Sequence, residues 1–283
     1  MNHDHLIKRS SIGLLYLWVT LFALLPLAFI LAVSFLKNNS DHLFIWQLTW
    51  QNYRQLLSIP YLNVFFRSIK LAFWVTLICL FMGYPFAYQL TKLPENMKSL
   101  MALFVVIPFW TSSLLRSFAI ITVIQANGIL NRVLISLHII HHPLQLLYTN
   151  TAVIIGLVYN LLPFVILPLF ANMEKLDARL LEAAEDLGAS KWTVFWKVLL
   201  PMTRSGISSA IMLTFLPAIT LFYIPDLLGG SKSLLLGNLI QMEFFTARNW
   251  PMGSAVGIGL TAIMSILIIY YLKNSPENQR ETI

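Results

Sequence analysis

Long apolar runs separated by short polar passages organise this chain. Six of them, about 12–36, 64–90, 100–124, 149–170, 205–224 and 252–272, reach the ~20 residues that a helix needs to cross the hydrocarbon core of a bilayer. The pattern predicts an all-α integral membrane protein with six transmembrane helices in one transmembrane domain covering residues 1–283. The first run is longer than a signal-peptide core and lacks a small-residue cleavage site, so it reads as an uncleaved anchor. Pro85 is expected to kink the second run near its inner end. The third contains Pro108, Phe109, Trp110, the polar cluster Thr111-Ser112-Ser113 and Arg116, and is the least lipid-like. The fourth is interrupted by Pro163 and Pro168 around Asn160, and the fifth carries Pro217. In the last, Gly253, Gly257 and Gly259 permit close helix packing.

The passages between runs divide by chemistry. Residues 37–63 hold Trp46, Trp50, Tyr53 and Tyr61, the aromatic content of a loop returning to the membrane surface, and are read as external. So are 125–148, with a short interfacial helix through 130–140, and 225–251, which includes Gly229-Gly230. The passage 171–204 differs. Leu176, Leu180, Ala184 and Leu187 recur at helical spacing, with Glu182, Glu185 and Asp186 on other faces, up to a break at Gly188. Ser190 can cap a second short helix, in which Trp192, Phe195, Trp196 and Leu199 share a side and which Pro201 is expected to stop. Ala183 and Ala184 leave room for another protein's surface, while Glu182 offers it an acidic group.

Composition agrees with membrane embedding: 58% of the 283 residues are hydrophobic and 11% charged, against about 25% charged in soluble domains, and the mean hydropathy is +0.73. The formal charge of +7 has a topological explanation that leaves no role for nucleic acid. Lys8, Arg9, Lys92, Lys98, Lys175, Arg179, Lys191, Lys197, Arg204, Lys273 and Arg280 share a side with the termini, whereas the opposite loops hold Lys37, Arg54, Arg132, Lys232 and Arg248. Both termini and the passage 171–204 are therefore expected in the cytosol. The single cysteine, Cys79, is expected to pack as a small hydrophobe.

Catalytic patterns are missing. No Gly-x-x-x-x-Gly-Lys-Ser/Thr phosphate loop occurs, so ATP and its Mg must sit on another polypeptide if ATP is used at all, and this chain is expected to hold no cofactor. No His-Glu-x-x-His or Gly-x-Ser-x-Gly occurs, and His138, His141 and His142 lack an acidic or cysteine companion for a metal. A membrane-embedded enzyme is disfavoured, as is a proton-coupled secondary transporter, which needs ionisable groups deep in the spans. Candidates for a solute path are Trp110, Tyr159 and Tyr223, whose rings can face a cation, Asp226 as the nearest carboxylate, and Arg116, which should face the protein interior.

Glu182-Ala183-Ala184, Gly188 six positions after the glutamate, and Leu200-Pro201 at the far end resemble the EAA loop of ABC importer permeases, with Val198 where that family usually has Ile. The resemblance implies that 171–204 forms a coupling helix docking into a groove of a cytosolic ATPase, with Glu182 pairing with a basic group there. GYPFAYQLTKLP at 83–94, IPFWTSSLLRSFA at 107–119, GLVYNLLPF at 156–164, EKLDARLLEAAEDLGAS at 174–190 and FYIPDLLGGSKSLLLGNLIQ at 222–241 are similar to the permease subunits of spermidine/putrescine importers. That likeness implies a type I ABC importer permease fold in a bacterial cytoplasmic (inner) membrane. The expected assembly adds a second, homologous permease, two ATPase subunits and a periplasmic or extracellular polyamine-binding protein, working by alternating access. Sulfate, thiosulfate, molybdate and iron permeases share the architecture. The residues themselves do not choose among these solutes, and Arg116 has the wrong sign to attract a polycation.

Overall fold

A computed structural model describes residues 12–39, 43–177 and 179–274. Lys8, Arg9 and Arg280, used above for sidedness, lie outside the described residues. Among the described residues, five helices are long and apolar enough to cross a membrane: Ile12–Ser34, Ile59–Thr91, Ser113–Ser136, Asn150–Met173 and Trp250–Lys273. They become six if Lys191–Met202 and Arg204–Thr220, bent by 68°, count as one span. The chain divides into two compact units, Met1–Asn63 with Leu239–Ile263, and Val64–Asn238 with Met264–Ile283.

In the first unit, α1 (Ile12–Ser34) contains a π-turn at Thr20–Leu24 and leaves almost every apolar side chain uncovered, Leu14 by 71% and Tyr16 by 68%. Such a helix is stable only where lipid or another chain covers it. Its end is tied to the segment read above as a loop, which is folded. β1 (Leu36–Lys37) pairs antiparallel with β2 (Ile45–Leu48). The next helix, α2 (Gln51–Leu56), sends the buried Asn52 amide onto the Ser34 and Leu36 carbonyls at 2.9 and 2.8 Å. Tyr53 and Ser34 share a hydroxyl hydrogen bond of 2.7 Å. The buried Glu243 accepts a hydrogen bond from Tyr61 at 2.8 Å.

The second unit is built on α7 (Asn150–Met173), whose Val153, Leu157, Leu161, Val165 and Leu169 are buried. Thr149 caps it, accepting from the Ala152 amide at 3.3 Å. Against α7 lies α3 (Ile59–Thr91), which contains Pro85 without a break. The apolar run 100–124 is not one helix. α4 (Glu95–Val106) passes into a 3-10 turn at Ile107–Trp110, and α5 (Ser113–Ile124) starts afresh, followed by α6 (Ile129–Ser136) close to the short helix expected there. Pro108 has no N–H to continue a helix, and the Thr111 amide and hydroxyl both bind the Pro108 carbonyl, at 3.3 and 2.8 Å.

Two further boundaries depart from the sequence reading. α10 (Arg204–Thr220) ends four residues before the expected limit of the fifth span, and α11 (Tyr223–Gly229) is a separate helix packed on α5 and α7. The segment 225–251, read above as an external passage, is folded and not an open loop. Leu228, Leu235 and Leu236 are fully buried, and α12 (Leu236–Gln241) donates its first amide to Ser68 of α3 at 2.9 Å. A π-turn at Met242–Thr246 then precedes α13 (Trp250–Asn274). Apolar residues spaced between glycines and polar side chains hid this packing.

α11 approaches α7 where α7 has no side chain. A Cβ at Gly156 would lie 2.2 Å from Leu228 Cδ1 and 3.0 Å from Ile224 Cγ2. We expect Gly156→Val to lower the stability of the detergent-solubilised protein by about 1–3 kcal/mol, the usual cost of overpacking. A thermal unfolding curve unchanged from the parent protein would show that α11 yields freely.

Candidate functional site

The charged passage forms two short helices at a glycine. Asp177 Oδ1 accepts from the Arg179 amide at 3.0 Å, and α8 (Arg179–Asp186) follows with Glu182 in its first turn, where a carboxylate favours the helix dipole. Its far end closes as a Schellman motif: the Gly188 amide binds the Glu185 carbonyl at 2.8 Å and the Ala189 amide binds that of Ala184 at 3.1 Å. Gly188 takes φ +85°, a left-handed conformation that L side chains rarely adopt, and nothing lies within 4 Å of where its Cβ would be. Glycine is thus required by the backbone and not by crowding. Ser190 then caps α9 (Lys191–Met202), accepting from the Thr193 amide at 3.3 Å, as its sequence position predicts.

The two faces of α8 differ. Leu180, Ala183 and Leu187 are exposed, Leu187 by 90%, and Trp192 and Trp196 of α9 are uncovered by 71% and 49%. No described residue covers this apolar, small-residue surface. The other face, with Leu181, Glu182 and Glu185, lines a cleft of about 430 Å³ together with Tyr88, Thr91 and Lys92 at the end of α3, Lys98 of α4, and Glu174. Lys98 pairs with Glu95 at 2.6 Å, and the Lys92 ammonium stands over the Tyr88 ring at 4.3 Å. Glu182 therefore shares its cleft with two lysines of its own chain, which the sequence reading did not foresee. Ala184 is half-buried between the two faces.

Pro201 does not stop α9. The turn Phe195–Leu199 is widened to a π-turn closed by the Leu200 amide on the Phe195 carbonyl, and Pro201 follows at a position where no amide is needed. Leu200 and Pro201 are half-buried. The chain bends at Thr203, whose hydroxyl reaches Tyr84 of α3 at 3.0 Å.

The candidate path residues do not converge. Arg116 lies half-buried on α5 with its guanidinium 5.4 Å from the Phe109 ring, and Phe109 meets Phe164 of α7 edge-on at 5.1 Å. Its Nε is buried without a hydrogen-bond partner. Trp110 is 80% exposed and Tyr159 50%. Tyr223 is half-buried beside Phe222, and Asp226 is exposed on α11, accepting a short hydrogen bond from the buried Asn238 amide. No hydrogen bond or ring contact among the described residues joins Trp110, Arg116, Tyr159, Tyr223 and Asp226 to one another. Sequence reasoning missed Tyr84, Thr203, Lys92, Lys98 and Asn238. Tyr84 and Lys92 sit inside the block 83–94 singled out above, but partners 119 positions apart leave no local signal.

Known proteins resemble this chain along nearly its whole length. The model of a family described as "Binding-protein-dependent transport system inner membrane component" matches residues 7–274. A Haemophilus influenzae protein named "Spermidine/putrescine transport system permease protein PotB" is 44% identical over 274 residues, 96% of either chain. The Escherichia coli protein of the same name is 43% identical over 258 residues, 91% of this chain and 94% of that one. Among solved structures, a chain of a bacterial alginate ABC transporter, crystallised with a periplasmic protein carrying an alginate pentasaccharide, superposes with a TM-score of 0.77 at 14% identity, over 97% of this chain and 95% of that one. A likeness at that identity establishes a common fold.

The φ of Gly188 gives a test that needs no partner protein. Gly188→Val should destabilise the end of α8 by about 1–2 kcal/mol, the cost of a left-handed L residue, and speed amide exchange at Gly188 and Ala189 about fivefold or more. Gly188→Asn should do so less, since asparagine tolerates this conformation. Equal exchange in both variants and the parent would place the end of α8 under no backbone constraint.

Proposed function

From the chain's membership of the binding-protein-dependent transport system inner membrane component family, we propose that it is the permease subunit of an ATP-driven importer of spermidine and putrescine. The observation that carries the substrate is the 44% identity, across 96% of both chains, to a protein named as a spermidine/putrescine permease. The chain is a multi-pass protein of the inner membrane and a transport subunit, not an enzyme.

The working assembly pairs it with a second, homologous permease, two ATPase subunits that hold ATP and Mg, and an external polyamine-binding protein. Both termini and the loop containing α8 and α9 face the cytosol. The exposed apolar surface of Leu180, Ala183, Leu187, Trp192 and Trp196 supports this reading, because it requires a covering partner at the position where the Glu-Ala-Ala sequence stands. The binding protein delivers substrate at the outer side. Closure of the ATPase pair displaces α8 and α9, and α9 is continuous through its bend with the span α10. The spans then open the central path toward the cytosol. Trp110, Arg116, Tyr159, Tyr223 and Asp226 remain candidates to line it. Glu182 supplies an exposed carboxylate from the adjoining face of α8, in the cleft that Lys92 and Lys98 also line.

The deciding measurement is uptake of radiolabelled spermidine and putrescine into vesicles holding this chain, its partner permease, the ATPase and the binding protein, with and without ATP. ATP-dependent uptake, competed by unlabelled polyamine and not by sulfate, molybdate or iron, is expected. ATP hydrolysis stimulated by a binding protein indifferent to polyamines would keep the permease and discard the substrate, and uptake without ATP would discard both. Glu182→Ala and replacement of Gly188 by a bulky residue should abolish uptake with normal membrane insertion, and normal uptake by both would remove the coupling role of the loop.

A further inference from the structure

Tyr84 places a phenol in a packed helix face where phenylalanine would fill the same space; the residue is only 8% exposed. Its hydroxyl meets Thr203 Oγ1, on a fully buried residue, at 3.0 Å. The threonine has one proton, and the carbonyls of Leu199 and Leu200, at 3.0 and 3.2 Å, take it. Its lone pair is left for the phenol, so Tyr84 donates. One hydroxyl pair thereby ties α3 to the last turn of α9 at the residue where α9 and α10 meet at 68°. The Tyr84 ring also stands edge-on to Phe195, 5.6 Å between centroids, at the first position of the π-turn Phe195–Leu199. Tyr84 thus holds both irregular points of the connection, the widened turn and the bend.

The outer side of the connection is open. Lys191, Trp192, Trp196 and Lys197 are exposed, so a load applied to α8 and α9 from outside reaches α10 through this joint. A slack joint would absorb the displacement by changing its angle, and a pinned one passes it on. We propose that Tyr84 is a positioning residue of the coupling step. Its hydrogen bond to Thr203 fixes the angle between α9 and α10, so that displacement of α8 and α9 turns α10 against α3 and is not lost at the bend. This rests on the permease reading above.

The test uses the complete complex in proteoliposomes, with spermidine import and ATP hydrolysis measured on the same preparation. Tyr84→Phe and Thr203→Val remove the hydroxyl pair with little change of shape, and Thr203→Ser keeps it. Both removals should lower spermidine imported per ATP hydrolysed by about fivefold or more, in the range expected when a buried hydrogen bond is lost. Copurification of the ATPase and hydrolysis stimulated by the binding protein should stay within about twofold of the parent complex. Thr203→Ser should keep a ratio within about twofold, and Tyr84→Phe combined with Thr203→Val should be no worse than the poorer single variant, as for two ends of one interaction. An unchanged ratio in the single variants overturns the proposal, as do losses that simply add in the double variant. So does a fall in import that merely follows loss of assembled complex, since the pair would then be only structural. A parent complex that imports no spermidine with ATP would instead overturn the permease reading, which separates the two failures.

Discussion

Helices in hydrocarbon satisfy their own backbone hydrogen bonds and gain nothing by hiding apolar groups from lipid, so close contact is what holds one against another. In the second unit that contact centres on α7. Gly156 admits Leu228 and Ile224 of α11, and Gly83 of α3 lies so near Val165 that a Cβ would stand 2.7 Å from its Cγ1. At the other end Gly206 of α10 meets Asn172, whose amide donates to Ser205 at 2.8 Å. Three helices thus approach α7 through missing side chains at separate levels, α11 near its start, α3 in the middle and α10 near its end. A transport subunit built this way has rigid contacts at the glycines and leaves its movement to the places where helices break.

Three of those breaks have a local chemical solution. At Pro108 the free carbonyl is taken by both polar groups of Thr111. At Thr203 a buried hydroxyl binds the carbonyls of the preceding turn and accepts from Tyr84. Beyond α10 the Leu221 amide folds back to the Pro217 carbonyl at 2.9 Å, and the buried Asn238 amide reaches the Phe222 carbonyl at 2.8 Å. Proline or threonine marks these three places. Irregular backbone in a membrane protein is tolerated where protein covers it, and on the proposed reading it separates segments that move relative to one another during transport.

The sequence made some of this legible and hid the rest for identifiable reasons. Apolar length located helices long enough to span: the first, second, fourth and sixth runs fall on Ile12–Ser34, Ile59–Thr91, Asn150–Met173 and Trp250–Lys273, because hydropathy measures the property that selects them. Local rules also succeeded at α8 and α9: a glycine that must take positive φ and a serine cap act within four residues of themselves. Pro201 was misread as a stop because a π-turn precedes it, and the first residue of that turn, Phe195, packs on Tyr84, a partner on another helix that no local pattern announces. The burial of Leu235 and Leu236 was missed for a similar reason, since a run flanked by glycines and polar residues looks like a loop until Ser68 of α3 is seen to take its first amide. Periodicity tells which residues face inward, and only packing tells what they face.

Arg116 is the harder case. A cation at the centre of a span costs about 2.5–3.5 kcal/mol on insertion scales; Arg116 stands in the first turn of α5, where the cost is smaller, and a ring such as Phe109 returns about 0.5–2 kcal/mol. No carboxylate among the described residues pairs with it, and its Nε has no partner. Among the described residues its Nε is left without a partner, a place that water or a group on another chain can fill. The same holds in reverse for Trp110 and Tyr159, neutral aromatic faces that lie largely open. For a polycation such surfaces are usable where Arg116 is not, because a ring attracts an ammonium without the desolvation cost of a buried carboxylate. On the proposed reading, the path is therefore a surface completed by the second permease and not a cavity of this subunit.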